Sequence, residues 1–290
     1  FTRTQYLGTG QNSLAIIKAG MQTGKNEKYL YKKWEIPEKL RNVEFYPYAK
    51  GGGFSKYTND IFEYIDWRPN AQNYYKTSDK ARKNYLASYF TNNDTSMFLK
   101  EAVTYSDITS ESRFSARKLP EGCIFDTTGS CIFSSEINYD YLLGFINSKF
   151  PNYILYKLNP SPHFQVSDLQ RVPYKHPDSE SESLLIQKTK RAREIKEFLL
   201  GFNYVSDYYH GTELEYGFSE GGSSLSSAYI LYQKKYEELI TELSEIQKDI
   251  DKIIYKIYDL NREDIELIEE TFPDATPELL NNTSMKKTVL

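Results

Sequence analysis

Three stretches of the chain set cations among glycines and aromatic rings. GMQTGKNEKYLYKKW, residues 20–34, carries Lys25, Asn26, Lys28, Lys32 and Lys33. YPYAKGGGFSKY, residues 46–57, carries Lys50, Gly51, Gly52, Gly53, Lys56 and Tyr57. SRFSARKLPEG, residues 112–122, carries Arg113, Ser115, Arg117 and Lys118. Lysines at this density can neutralise phosphates, and a Gly-Lys-Asn turn can offer backbone N–H groups to an anion. Arginine pairs bidentately with guanine in the major groove, and asparagine with adenine. Each stretch alone also reads as an ordinary solvated basic loop; three in one half of the chain, with aromatics between them, point to DNA. The three glycines pose a sharper question, because ordering them costs more entropy than ordering any other triplet. A flexible linker would stay disordered, but linkers are rarely this aromatic. Either something approaches the backbone there, a duplex backbone for instance, or the chain needs unusual dihedrals.

Enzyme motifs are missing from the sequence. GTGQNS, residues 8–13, fails the GxGxxG spacing, and there is no GxxxxGK[ST] loop and no GxSxG. His163, His176 and His210 are scattered, and Cys123 and Cys131 have no Cys/His cluster around them, which argues against zinc. Two reduced, partly buried thiols fit a reducing cytosol. NPSPHF, from Asn159, has an outline like the Asn-Pro-Pro-aromatic loop that holds a flipped adenine, but Ser161 splits its prolines. It reads as a turn that stops a helix. The chain therefore reads as one that binds rather than catalyses.

The 290 residues suggest one large domain or two ordinary ones, and 39% hydrophobic residues are enough for a substantial core. No apolar run approaches a membrane span, no secretory h-region opens the chain, and the expected location is cytoplasmic. A start at Phe1 reads as a piece of something longer. The formal charge of −4 hides an asymmetry. Residues 1–176 hold 23 Lys+Arg against 17 Asp+Glu, and residues 177–290 hold 13 against 23. A basic half beside an acidic half suggests a polyanionic partner for the first, although domains also vary this much for no functional reason.

The elements that would position these residues are mixed. IFEYIDW and GCIFDTTGSCIF read as short strands, with a turn at Asp126–Gly129. YDYLLGFINSKFPNYILYKL has helical spacing, with Pro151 expected to end or kink it. QVSDLQRVPY reads as a strand or extended segment. The polar, acidic HPDSESES, residues 176–183, is the expected boundary between a domain at 1–176 and a helical region at 177–290. Beyond it, a helix is expected over about Glu182–Leu200. Tyr229, Tyr232, Tyr236, Leu239, Leu243, Ile246, Ile250, Ile253 and Ile257 then alternate by three and four, an a/d seam. The economical arrangement is an antiparallel helical pair inside one chain, followed by a short helix in REDIELIEETF and a polar tail. The fold class expected is α+β: a mixed, β-rich first domain and an antiparallel helical, coiled-coil-like second.

The order of the stretches GMQTGKNEKYLYKKWEI, YPYAKGGGFSKY, IDW, EAVTYSDITSESRFSARKLPEGCIFDTTGSCIF, YLLGFINSK and LNPSPHFQVSDLQRVP resembles one known pattern. It is similar to the target-recognition part of the PglX (BrxX) adenine-specific DNA methyltransferases of BREX phage-defence systems. These in turn are related to type IIG restriction-modification enzymes. The resemblance runs over most of residues 14–175, and the helical remainder through IIYKIYDL resembles the spacer helices and C-terminal end of the same proteins. Gly20, Thr23, Gly24 and Asn26 match a GxxTGxN block. Lys50, Gly51, Gly52 and Phe54 match a Lys-Gly-Gly-x-aromatic block, with Lys56 and Tyr57 following, although a tryptophan of the pattern is absent there. Phe114, Ser115 and Arg117 match an Arg-containing block.

The resemblance implies a TaqI-like specificity domain that grips double-stranded DNA. Lys25, Lys28, Lys50, Lys56, Arg113 and Lys118 would contact phosphates, Asn26 or Arg117 would reach base edges, and Gly51, Gly52, Tyr57 and Ser115 would complete the surface. It also implies that S-adenosylmethionine and catalysis belong to another part of the same polypeptide, so this chain itself carries no cofactor, metal or catalytic residue. The rival reading is a protein-interaction module, its acidic helical half docking the catalytic domain, another defence-system subunit or a DNA-mimicking inhibitor. A freestanding enzyme, such as half of a nuclease, is the third.

Overall fold

The computed structural model describes residues 5–8, 13–81, 97–109 and 113–274. Most of the GTGQNS stretch and of the polar tail lie outside them. The first elements are β1 (Gln5–Tyr6), β2 (Ile16–Lys18), α1 (Asn26–Tyr29), β3 (Leu30–Lys32), β4 (Phe45–Ala49), β5 (Glu63–Asp66) and α2 (Pro69–Thr77). There follow β6 (Ala102–Tyr105), β7 (Ala116–Leu119), β8 (Ile124–Phe125), β9 (Cys131–Phe133), α3 (Tyr139–Asn147), α4 (Lys149–Leu158), α5 (Val166–Gln170) and β10 (Pro173–Tyr174). The helical end comprises α6 (Ser179–Leu200), α7 (Glu213–Ser219), α8 (Leu225–Ile257) and α9 (Arg262–Thr271). The class is α+β.

Two four-stranded sheets carry the first half. One has the order β2-β9-β6-β7, all antiparallel; the other has the order β3-β5-β4-β8, antiparallel except for the parallel pair β4–β8. A third, two-stranded pairing joins β1 to β10. Side chains alternate across a strand, and the first sheet uses both faces. Ile17, Val103, Tyr105, Ala116 and Ile132 pack into a core shared with the helices. Ala102, Leu119, Cys131 and Phe133 turn the other way, into a second core with Tyr48, Ile65, Trp67, Phe98 and Phe125. Both cysteines are buried free thiols, and burial pushes Cys123 up to about 12.

The helices form as their caps and apolar stripes dictate. Asn138 accepts from the amides of Asp140 and Tyr141 at the start of α3, and Asp178 accepts from Ser181 N at 2.8 Å at the start of α6. Ion pairs Lys188–Asp249 and Arg191–Glu242 advance along α6 while they retreat along α8, so the two helices run antiparallel. From Leu239 onward the alternating apolar positions of α8 are buried, each worth roughly 1.5–3 kcal/mol relative to exposure. The seam is incomplete at its start, where Tyr229 remains 48% exposed. The apolar core is continuous across residue 176, joining Tyr141, Leu142 and Phe145 to Leu185, Ile195, Leu243 and Ile250.

Two elements differ from expectation. The long helical stretch breaks at Ser148, not Pro151, which sits in the first turn of α4. There a proline costs nothing, because first-turn amides have no intrahelical acceptor. QVSDLQRVPY is not extended throughout: α5 forms first, with Asp168 Oδ2 accepting from Gln165 N at 3.2 Å, and only Pro173–Tyr174 pair as a strand.

Candidate nucleic-acid interface

Two of the chain's passages between the two sheets touch each other. After β4 the chain leaves through Lys50–Gly53 and reaches the edge of β7, where Tyr57 bridges Arg117. After β8 it turns at 126–130 and enters β9. Asp126 folds that turn: its Oδ1 accepts from Thr128 N at 2.8 Å and from Thr128 Oγ1 at 2.9 Å. The glycines lie against the turn. A Cβ on Gly51 would sit 2.2 Å from the Thr128 carbonyl oxygen, and Gly53 has φ +74. So the close approach expected at Gly51 is made by the chain's own backbone, and Gly53 serves a left-handed turn.

Arg117 clasps this crossing. Its Nη2 donates to the Lys50 carbonyl at 2.8 Å and its Nη1 to Ser106 Oγ at 3.0 Å. Ser106 Oγ in turn accepts from Gly52 N at 3.1 Å and donates to the Gly53 carbonyl at 2.9 Å. Burial lowers the Arg117 guanidinium to about 10, which leaves it charged at neutral pH.

Around this clasp lies a cleft of about 270 Å³ between the sheets, lined by Lys32, Trp34, Lys50, Gly51, Gly52, Asp60, Glu63, Thr104, Arg117 and Lys118 among others. Lys32 and Lys50 share one carboxylate, Glu63, at 3.1 and 3.0 Å. Burial opposes the charged form of Glu63, but the hydrogen bond and charge of Lys50, then of Lys32, outweigh it and hold its pKa below the ordinary value. Lys118 pairs with Glu101 at 2.7 Å. Ion pairs this accessible are worth about 1 kcal/mol or less, so a phosphate can compete for these lysines. Four cations against two carboxylates leave the lining positive. A second cleft adjoins the first through Lys50 and holds Gln22, Gly24, Asn26, Asp126, Thr127 and Thr128. Lys25 and Lys28 are exposed, Lys25 lying 5.6 Å from the Tyr74 ring and Lys28 5.0 Å from that of Tyr29.

The structure thus brings together Asn26, Lys50, Gly51, Gly52, Arg117 and Lys118, with Lys25 and Lys28 on α1 and the loop before it. Four expected residues lie elsewhere. Lys56 is buried and donates to the Asn147 carbonyl at 2.8 Å and to Gln247 Oε1 at 2.9 Å. Tyr57 is buried too, its hydroxyl donating to the same Gln247 oxygen at 2.6 Å. Ser115 is enclosed, its Oγ accepting from Ser55 N at 3.0 Å. Arg113 lines a separate pocket with Lys56, Lys149, Gln247 and Asp274. The expectation that Lys56, Tyr57, Ser115 and Arg113 share the phosphate-facing surface is therefore corrected: Lys56 and Tyr57 join the β-rich half to the helices, Ser115 ties the start of β7 to the loop at Ser55, and Arg113 faces α4 and the end of α9.

Sequence reasoning passed over Trp34 and Glu63 in the cleft and Asn147 behind it. Asn147 uses its side chain like a strand, accepting from Ala116 N at 2.9 Å and donating to Ala116 O at 2.8 Å. An asparagine directly after the apolar run LLGFI was the available signal. Among the described residues no His/Cys/Asp/Glu group could hold a metal ion, and no helix is long and apolar enough to cross a membrane.

No family model matches the chain. It is 22% identical over 282 residues to an adenine-specific methyltransferase PglX of Lacticaseibacillus casei (strain Zhang), covering 89% of this chain and 22% of that protein. It is 28% identical over 224 residues to an adenine-specific methyltransferase BrxX of Escherichia coli O9:H4 (strain HS), covering 74% of this chain and 16% of that one. The chain is related to the PglX and BrxX methyltransferases. It spans about a fifth of their length, so the relation concerns one portion of those proteins. The fold is similar to MmeI, a type IIL restriction-modification enzyme whose structure was determined in complex with DNA, with TM-score 0.51 and 13% identity. That likeness covers 93% of this chain and 36% of MmeI, and so includes both the sheets and the helices. The relationship read from the ordered stretches is borne out over both halves of the chain.

Proposed function

We propose that the chain is the DNA-recognition portion of a site-specific adenine methyltransferase, and that the duplex lies along the cleft between its two sheets. The observation that carries this reading is the convergence of Lys32, Lys50, Arg117 and Lys118 on one groove, in a chain related to adenine-specific methyltransferases. Residues 1–176 grip the DNA, and residues 177–290 brace them. Lys25, Lys28, Lys50 and Lys118 meet phosphates, and Asn26 stands where base edges would pass; Arg117, expected there too, is buried and committed to the Lys50 carbonyl and Ser106, so it shapes the cleft instead. Transfer of a methyl group from S-adenosylmethionine to N6 of adenine belongs to another portion of the polypeptide. That division is supported by Gly51, the first glycine after β4, being packed on Thr128.

The test is binding of duplex DNA to the chain across a salt series. Lys50→Ala and Lys118→Ala should each weaken binding to all sequences alike and reduce the logarithmic salt slope by about 0.9 per lost phosphate contact. Absence of salt-dependent affinity for any duplex would overturn the reading. A second reading, docking of a protein partner by the helical half, is favoured by its acidic excess and by exposed Leu214, Phe218, Leu225, Tyr229 and Ile230 on α7 and α8. A catalytic domain, a defence-system subunit or a DNA-mimicking inhibitor fits that role, and a pull-down that survives loss of α7 and the first turns of α8 would count against it.

A further inference from the structure

Trp34 is the unexplained residue of the cleft. It sits on a one-turn 3-10 helix, Lys33–Glu35, directly after β3, and its side chain is 53% exposed. Leaving half an indole in water forgoes much of the burial energy that tryptophan normally contributes. Flexibility does not account for it, because the turn is fixed from several sides. Lys33 N donates to the Phe62 carbonyl at 2.8 Å, Lys32 N donates to Glu35 Oε2 at 2.5 Å, and the Lys33 side chain is paired with Asp207. The Phe62 ring supports the indole from beside it, centroids 6.1 Å apart and planes inclined at 52°. The result is a rigid aromatic surface at the wall of a groove that also holds Lys32, Lys50, Arg117 and Lys118.

Resting on the DNA-binding reading, we infer that Trp34 is a stacking platform for a base displaced from the bound duplex. Paired bases present only their edges in the grooves, so an indole meets a base face only when that base has left the stack. Chemistry on a base within a duplex requires such displacement. Cations that track the backbone beside an aromatic that takes the base are the arrangement by which unstacked nucleotides are held. The preorganised turn removes the entropy cost of ordering the ring on binding.

The experiment compares two short duplexes that differ only by one unpaired adenine. The chain has two tryptophans, and Trp67 is only 9% exposed, so quenching on titration reports Trp34. The unpaired base should tighten binding about tenfold and quench the emission. Trp34→Ala should lose that preference while keeping the salt slope. Trp34→Phe, which retains a ring, should keep most of the preference with no quenching. Equal affinity for both duplexes, unaffected by Trp34→Ala while salt-dependent binding persists, would overturn the stacking role and leave the DNA-binding reading intact. Loss of all salt-dependent binding would overturn that reading itself.

Discussion

Gly51 rests on Thr128: its amide donates to Thr128 Oγ1 at 3.2 Å, and an added Cβ would fall 2.2 Å from the Thr128 carbonyl oxygen. The obstacle is backbone, held in its turn by Asp126 and by Asp107 N donating to Thr128 O at 3.0 Å. It cannot step aside without moving the crossing between the sheets. Gly51→Ala should therefore destabilise the fold by about 3 kcal/mol, the upper part of the overpacking range. Gly53→Ala meets no atom within 4 Å and carries only the left-handed backbone penalty, about 1–2 kcal/mol. Urea denaturation of the two variants checks the order, and Gly53→Ala as the costlier change would contradict it.

Asn147 supplies a second junction, between α3 and the backbone of Ala116. Removing its amide strands the buried Ala116 N–H, while Ala116 O keeps only its bond from Tyr57 N at 2.9 Å, so Asn147→Ala should cost about 1–3 kcal/mol. Asn147→Asp is the more informative change. An ionised carboxylate would face the Ala116 carbonyl, whereas a protonated one could donate to it and still accept from Ala116 N. Its destabilisation relative to the native chain should shrink as pH falls below the ordinary carboxylate range. A pH-independent deficit would show that the amide does not act through those two bonds.

What the sequence disclosed, and what it withheld, follows from the range of the forces involved. The apolar alternation of α8 and the strands in IFEYIDW and GCIFDTTGSCIF were legible because their pattern is local. The break at Ser148 was hidden because a proline in a first turn and one in a helix interior look alike in sequence. The site was half legible for a related reason. Lys50 and Lys56 lie six residues apart in similar surroundings, yet the chain crosses between sheets at the intervening glycines. Lys50 stays on the cleft side, and Lys56 is carried to the helices and Gln247. Residue type names a cation; only the crossing decides which side receives it.

The buried cluster behind β7 makes stability depend on pH in two opposed steps. Burial lowers Lys56 to about 8, against partial support from Asp251. Burial raises Asp251 to about 6, against the pull of Lys56 and of the Lys149 amide. Between the ordinary carboxylate value and about 6 the folded state holds the extra proton on Asp251, so stability falls as pH rises there. Between about 8 and the ordinary lysine value the unfolded state holds the extra proton, so stability rises with pH. Lys196, lowered to about 8 by burial, acts in the same upper window, so the native chain alone does not isolate Lys56. Lys56→Met should flatten the upper rise relative to the native chain without abolishing it. Identical pH profiles for the two would exclude a buried charge at Lys56.

Glu63 holds Lys32 and Lys50 together, and its charge opposes any polyanion in the cleft. Its lowered pKa keeps it ionised at neutral pH, so Glu63→Gln removes a full negative charge while preserving shape. The lost ion pairs are accessible enough that the fold should lose about 1 kcal/mol or less. Affinity for duplex DNA should nevertheless rise several-fold at low salt, because two lysines no longer exchange one carboxylate for a phosphate. The gain should fade as salt is raised, since screening weakens exposed charges. The binding series used for Lys50→Ala measures it directly. A Glu63→Gln protein that folds normally and binds DNA no more tightly at low salt would place the phosphates away from Lys32 and Lys50, and with them the duplex away from this cleft.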